Sequence, residues 1–136
     1  MRAVILFLVL LAALGAGGCV PSECAALLDF KRGFSGDPDG ALSSWSAGLL
    51  PECCQWRGAV CDNATGRVAE LRLRNALADA SSTGLSGEIS PALLRLPRLA
   101  HLNLSHNSLS GGGFIFNSPF NAQMPTHPKP TLTLHI

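Results

Sequence analysis

The residues of this chain best placed to do chemistry are its five cysteines, at positions 19, 24, 53, 54 and 61. Thiols either pair as disulfides or hold a soft metal ion, and the compartment decides between the two. Arg2 precedes an apolar run from Ala3 to Leu14, too short to cross a bilayer comfortably. Gly15-Ala16-Gly17-Gly18 follows, with the small residues that suit signal-peptidase cleavage near Gly18 or Cys19. The competing readings are an uncleaved anchor and a lipoprotein signal acylated on Cys19; against the latter, Ala16 stands where such signals usually carry Leu. Residues 1–18 therefore read as a signal peptide, and no later segment is apolar and long enough to be a transmembrane anchor. In an exported chain, five cysteines imply a disulfide framework with one thiol left over. Zinc held by Cys53, Cys54 and Cys61 is the rival reading, but these residues lack a C-x-x-C knuckle, so no metal is expected.

His101, Ser105 and His106 form the second cluster that could do chemistry, as a nucleophile with a base. No carboxylate lies near in sequence to orient either imidazole, and Ser105 occupies an ordinary variable position of a strand. There is no phosphate-binding loop and no kinase segment. The chain therefore reads as a non-enzyme without a cofactor. Asn63-Ala64-Thr65 and Asn103-Leu104-Ser105 are N-glycosylation sequons. A formal net charge of +1 without a basic block excludes nucleic acid and anionic membranes as expected partners.

What positions these residues is a periodic pattern. Leu99 to Gly111 reads L-A-H-L-N-L-S-H-N-S-L-S-G, with Leu99, Leu102, Leu104, Asn107 and Leu109 at the spacing of a leucine-rich repeat. Leu85-Ser86-Gly87 recurs as Leu109-Ser110-Gly111, inside the length range of such repeats. In a short strand alternate side chains share a side, so Leu102 and Leu104 face a core while His101, Asn103 and Ser105 face solvent. Asn107 stands where the chain turns and can satisfy backbone groups there. An amphipathic helix would also accommodate Leu99, Leu102 and Leu109, but Ser105, Asn107, Ser108, Ser110 and Gly111 are poor helix formers. Val68 to Leu73 is the preceding strand, with Leu71 and Leu73 inward and Glu70, Arg72 and Arg74 outward. Asn75 to Thr83 is extra length, and Leu93, Leu94 and Leu96 suit a short helical back wall.

A solenoid's first repeat needs a cap over its open core. Ala25, Ala26, Leu27, Leu28 and Phe30 fit one short helix, with Ser22 as N-cap and Gly33 near its end. Leu42 and Trp45 offer a second apolar face, and both Trp45 and Trp56 read as core plugs. From Cys19 the chain runs C-V-P-S-E-C-A-A-L-L-D-F-K-R-G-F, then D-P-D-G-A-L-S-S-W, then C-C-Q-W-R-G-A-V-C-D, then T-G-R-V-A-E-L-R-L. This resembles the amino-terminal cap of plant extracellular leucine-rich repeat proteins: the receptor-like proteins, the receptor-like kinases and the soluble polygalacturonase-inhibiting proteins. The resemblance covers roughly Cys19 to Gly111. Gly84-Leu85-Ser86-Gly87-Glu88-Ile89-Ser90 resembles the plant-type L-x-G-x-I-P segment, with Ser90 in the Pro position.

The resemblance implies bridges Cys19–Cys53 and Cys54–Cys61. It leaves Cys24, which stands where the family usually carries Arg, as the unpaired thiol, able to scramble pairing or link two chains as a dimer. The implied fold is α/β: the start of a leucine-rich repeat solenoid with a disulfide-bonded plant-type cap over 19–66 and about one and a half repeats over 67–111. Residues 112–136 lack leucine periodicity and carry Pro125, Pro128 and Pro130, so they read as an irregular tail in which Thr131 to Ile136 alone could add an edge strand. Such a tail suggests a truncated product, and if the last repeat is frayed Leu102→Asp should matter little. The implied function is extracellular recognition of a protein, peptide or glycan ligand in defence or development, with Glu70, Arg72, Arg74, His101, Asn103 and Ser105 as the binding face. A secreted inhibitor or decoy acting on a cell-wall enzyme or receptor is the second reading, and a product without independent function the third.

Overall fold

A computed structural model describes residues 19–78, 82–113 and 133–135; the expected signal segment and most of the tail lie outside the described residues. Helix α1 spans Pro21–Arg32 and buries Glu23, Ala26, Leu27 and Phe30, the i, i+3, i+4, i+7 stripe of a helix with one inward face. It starts two residues earlier than the sequence suggests. Val20 is the N-cap and makes no side-chain capping bond, so Ser22 does not cap; Pro21 opens the helix, where its fixed φ and missing N–H carry no penalty. Trp45 and Trp56 stack behind the helix with ring centroids 5.6 Å apart. Their indole N–H groups donate to the carbonyls of Arg57 and Leu50, each at 2.8 Å, so both rings are buried with their polar edges satisfied.

Two small sheets complete the described fold. One has the order β2-β3-β5-β7, from strands Ala59–Cys61, Val68–Arg72, His101–Asn103 and Thr133–His135; the other has the order β1-β4-β6, from Phe34–Gly36, Ser86–Glu88 and Ser108–Ser110. β2 and β3 form an antiparallel hairpin that carries the chain out of the cap, after which β3, β5 and β7 run parallel. In the second sheet β1 from the cap is antiparallel to β4, and β4 is parallel to β6. Leu71, Leu73, Leu85, Ile89, Leu93, Leu96, Leu99, Leu102 and Leu104 join the cap residues in one core. The back wall is a 3-10 turn over Pro91–Arg95, capped by the Ser90 hydroxyl, which accepts the Ala92 N–H at 3.1 Å. Of its leucines, Leu93 is buried while Leu94 is exposed.

The two Leu-Ser-Gly segments are staggered: Gly87 pairs with Leu109 rather than Gly111. A shift by an even number of residues preserves which side each side chain takes, so the inward leucines keep their places. Gly87 itself has φ +120°, and a Cβ there would meet the Gly33 carbonyl oxygen at 2.5 Å, which is why the close approach of β4 to the cap needs glycine.

The cysteine pairing differs from the family expectation. Cys54 is bonded to Cys61, but Cys53 is bonded to Cys24, and Cys19 is the free thiol. Because α1 begins at Pro21, Cys24 sits in its first turns with its Cα 5.4 Å from that of Cys53, within bridging range. In this pairing the odd thiol is Cys19, so a dimer linked through Cys24 is without support. The tail is also less irregular than expected, since Thr133–His135 pairs in parallel with β5, His101 opposite Thr133 and Asn103 opposite His135.

Candidate functional site on the open face of the parallel sheet

The parallel register places Glu70 beside His101 and Arg72 beside Asn103. Alternation along each strand does the rest: Leu71, Leu73, Leu102 and Leu104 are buried, while Arg72, Arg74 and His101 are exposed and Glu70, Asn103 and Ser105 half-buried. Glu70 is the electrostatic centre of this face. Its Oε2 lies 2.5 Å from Arg72 Nη2 and its Oε1 3.9 Å from His101 Nε2. The result is a polar surface of mixed sign.

Not all the expected face residues come together. A shallow depression gathers Glu70, Arg72, His101 and Asn103 and adds His135 from β7. Arg74, two residues beyond the end of β3, instead lines a separate recess with Asp37, Asp39 and Arg57. Ser105 is held against its neighbour: its hydroxyl donates to Asn103 Oδ1 at 2.6 Å, and its backbone N–H reaches the same oxygen at 3.1 Å. The hydroxyl is thus engaged by an amide rather than by an imidazole, an arrangement without the geometry of a nucleophile and base. Asn63 lies exposed in the β2–β3 hairpin, whose turn is tied by Asp62 to the Ala64 N–H at 2.9 Å and the Thr65 hydroxyl at 3.2 Å.

Three residues on or behind this face escaped the sequence reading. Glu23, buried in α1, accepts the Val68 N–H at 2.8 Å and pairs with Arg67 Nη1 at 2.7 Å, fixing the start of β3 to the cap. Asn75, also buried, donates to the Ser82 carbonyl at 2.9 Å and accepts the Leu77 N–H at 3.0 Å, so the extra segment folds back on a polar anchor. An Asn directly after L-R-L-R was the available signal. His135 had none, because it follows a proline-rich tail. Asn107 performs the turn role expected of it: Oδ1 accepts the Leu85 N–H at 2.8 Å, and Nδ2 donates to the carbonyls of Leu73 at 2.7 Å and Leu104 at 3.1 Å.

Residues 20–62 match the leucine rich repeat N-terminal domain family. Receptor-like protein EIX2 of Solanum lycopersicum is 42% identical over 93 residues, covering 65% of this chain and 9% of its own length. The leucine-rich repeat receptor-like protein kinase PXC2 of Arabidopsis thaliana is 46% identical over 89 residues, covering 65% of this chain and 8% of its own. The chain thus spans about a tenth of the length of these relatives. Among solved structures, the Arabidopsis receptor kinase HAESA, in complex with the peptide hormone IDA and the co-receptor SERK1, is 32% identical with a TM-score of 0.55, covering 66% of this chain and 14% of that one. The BIR2 ectodomain from Arabidopsis thaliana is 33% identical with a TM-score of 0.50, covering 64% and 43%. Residues 20–62 therefore carry a leucine rich repeat N-terminal domain, in a chain similar to the amino-terminal region of plant leucine-rich repeat receptor-like proteins and receptor kinases.

Proposed function

We propose that the chain is an extracellular recognition module of the plant receptor-like class, contributing the cap and first strands of a ligand-binding surface rather than a catalytic one. The supporting observation is the register of β3 on β5, which sets Glu70, Arg72, His101 and Asn103 side by side in solvent above buried leucines. The relatives are receptors, and HAESA is seen with a peptide hormone and a co-receptor. In this reading residues 1–18 direct export, and Asn63 and Asn103 are glycan acceptors. A glycan on Asn103 would cover part of the face. Two short strands offer much less than the roughly 800 Å² per partner of a standard interface, so the surface is suited to weak binding alone and to stronger binding when continued by further repeats.

A second reading, a soluble decoy, is favoured by one observation: β7 pairs along the free side of β5, the position a further repeat strand would take. Selection of a randomised peptide library on the surface-displayed chain tests recognition. Bound peptides should lose affinity with Arg72→Glu and His101→Ala but not with Leu49→Ala on the cap. Failure to enrich any peptide, or binding indifferent to the face substitutions, overturns the proposal. Binding that also requires an intact β7 selects the decoy reading.

A further inference from the structure

Three sulfur atoms converge where the segment before α1, the first turns of α1 and the 3-10 turn over Cys53–Gln55 meet. Cys24 and Cys53 are bonded. The Sγ of Cys19 lies 2.9 Å from that of Cys24 and accepts the backbone N–H of Cys53 at 3.2 Å, and all three sulfurs lie within 4.8 Å of one another. Cys53 is fully buried, whereas Cys19 is half-buried and lines an open, largely apolar recess with Pro21, Ala25, Leu28 and Pro51, with Glu52 on its rim. A thiol beside a disulfide exchanges with it by lining up with the bond to be broken, so attack on Cys53 requires Cys19, in the segment before the helix, to swing from beside Cys24 to the far side of Cys53.

We propose that Cys19, Cys24 and Cys53 form a thiol–disulfide exchange site in which Cys53 is bonded alternately to Cys24 and to Cys19. The Cys19 thiol gives up its proton to solvent, and the resulting thiolate donates an electron pair to Cys53 Sγ; the Cys19–Cys53 bond forms as the Cys24–Cys53 bond breaks. The broken bond's electron pair leaves on Cys24, which takes up a proton. One disulfide and one thiol stand on each side of the step, so it needs no external oxidant or reductant.

Loop closure selects this exchange over attack on Cys24 Sγ, which lies 2.9 Å from Cys19 Sγ. Loop-closure entropy grows only with the logarithm of loop length, so a bridge from Cys53 to either Cys19 or Cys24 restrains the unfolded chain almost equally. A Cys19–Cys24 bridge would close a loop of a few residues and release the helix from the turn. The tether between helix and turn is therefore kept while the free thiol moves between the segment before α1 and the helix itself.

The full chain, acid-quenched, alkylated with N-ethylmaleimide and mapped by non-reducing peptide digestion, should give two species with Cys54–Cys61 intact in both. One carries the label on Cys19 and a Cys24–Cys53 bridge; the other carries it on Cys24 and a Cys19–Cys53 bridge. Either isomer, separated and returned to mildly alkaline buffer, should regenerate the same mixture, and prior alkylation should freeze it. Cys24→Ser and Cys19→Ser should each remain monomeric with the other long bridge formed. A single labelled position that persists through incubation, a Cys19–Cys24 bridge, or interconversion that depends on protein concentration overturns the proposal. Should one variant fail to fold, the mapping of the unaltered chain still decides the matter.

Discussion

The carboxylate of Glu23, in the first turn of α1, accepts the backbone N–H of Val68, the first residue of β3, at 2.8 Å. This bond joins residues 45 positions apart and sets the height at which the first solenoid strand leaves the cap. Arg67, only partly exposed, neutralises the second oxygen. Glu23→Ala leaves a buried N–H without an acceptor and should cost about 2–3 kcal/mol, while Glu23→Gln keeps an acceptor and should cost about 1 kcal/mol. Urea unfolding of the two variants measures the difference. Equal effects would show that the carboxylate's bond to Val68 is not what holds the strand.

Asn107 and Gly84 should be coupled. Gly84 has φ +70°, and a Cβ there would collide with Asn107 Oδ1 and the Asn75 amide. Asn107→Ala, which strands the Leu85 N–H and the Leu73 carbonyl, should cost about 2–3 kcal/mol. Gly84→Ala should be destabilising through both its backbone and the collision. The double variant should cost less than the two effects combined, by at least about 0.5 kcal/mol, because one collision partner is gone. Strict additivity in denaturant titrations would contradict the contact.

Leu102 is 1% exposed and lies between β3 and β7 in the sheet. The expectation that Leu102→Asp is tolerated in a frayed last repeat gives way to a severe effect, since an unpaired carboxylate would be forced into the leucine core. Secretion of the variant should fall far below that of Arg72→Asp on the exposed face. Comparable secretion of the two would show the repeat to be frayed after all.

The backbone N–H of Leu104 donates to the carbonyl of His135, beside the parallel pairing of β5 with β7. Hydrogen exchange at Leu104 should therefore be slow in the full chain and at least about tenfold faster in one ending at Gly111, where that donor meets water. Equal rates would mean that the strand contributes no protection.

Much of this organisation is written in local patterns. The alternation of Leu71, Leu73, Leu102 and Leu104 with polar residues has only one good solution, a half-buried strand, and it places the open face without reference to anything distant. The core role of the tryptophans in the cap and the turn role of Asn107 are likewise set by residue type and spacing, whereas the Cys54–Cys61 link is implied by the family resemblance. What the sequence left open are choices among near-equivalent long-range partners. Three cysteines meet at one point, and only the fold shows that both Cys19 and Cys24 reach Cys53. Glu23 looks like any exposed acid of a first helical turn until the Val68 N–H is brought to it. Thr133–His135 gains its strand from an unpaired edge of β5, which supplies backbone partners to a segment whose own sequence barely asks for them. Periodicity fixes which side of an element is buried; only the assembled fold determines which polar group, sulfur or strand edge waits on the other side.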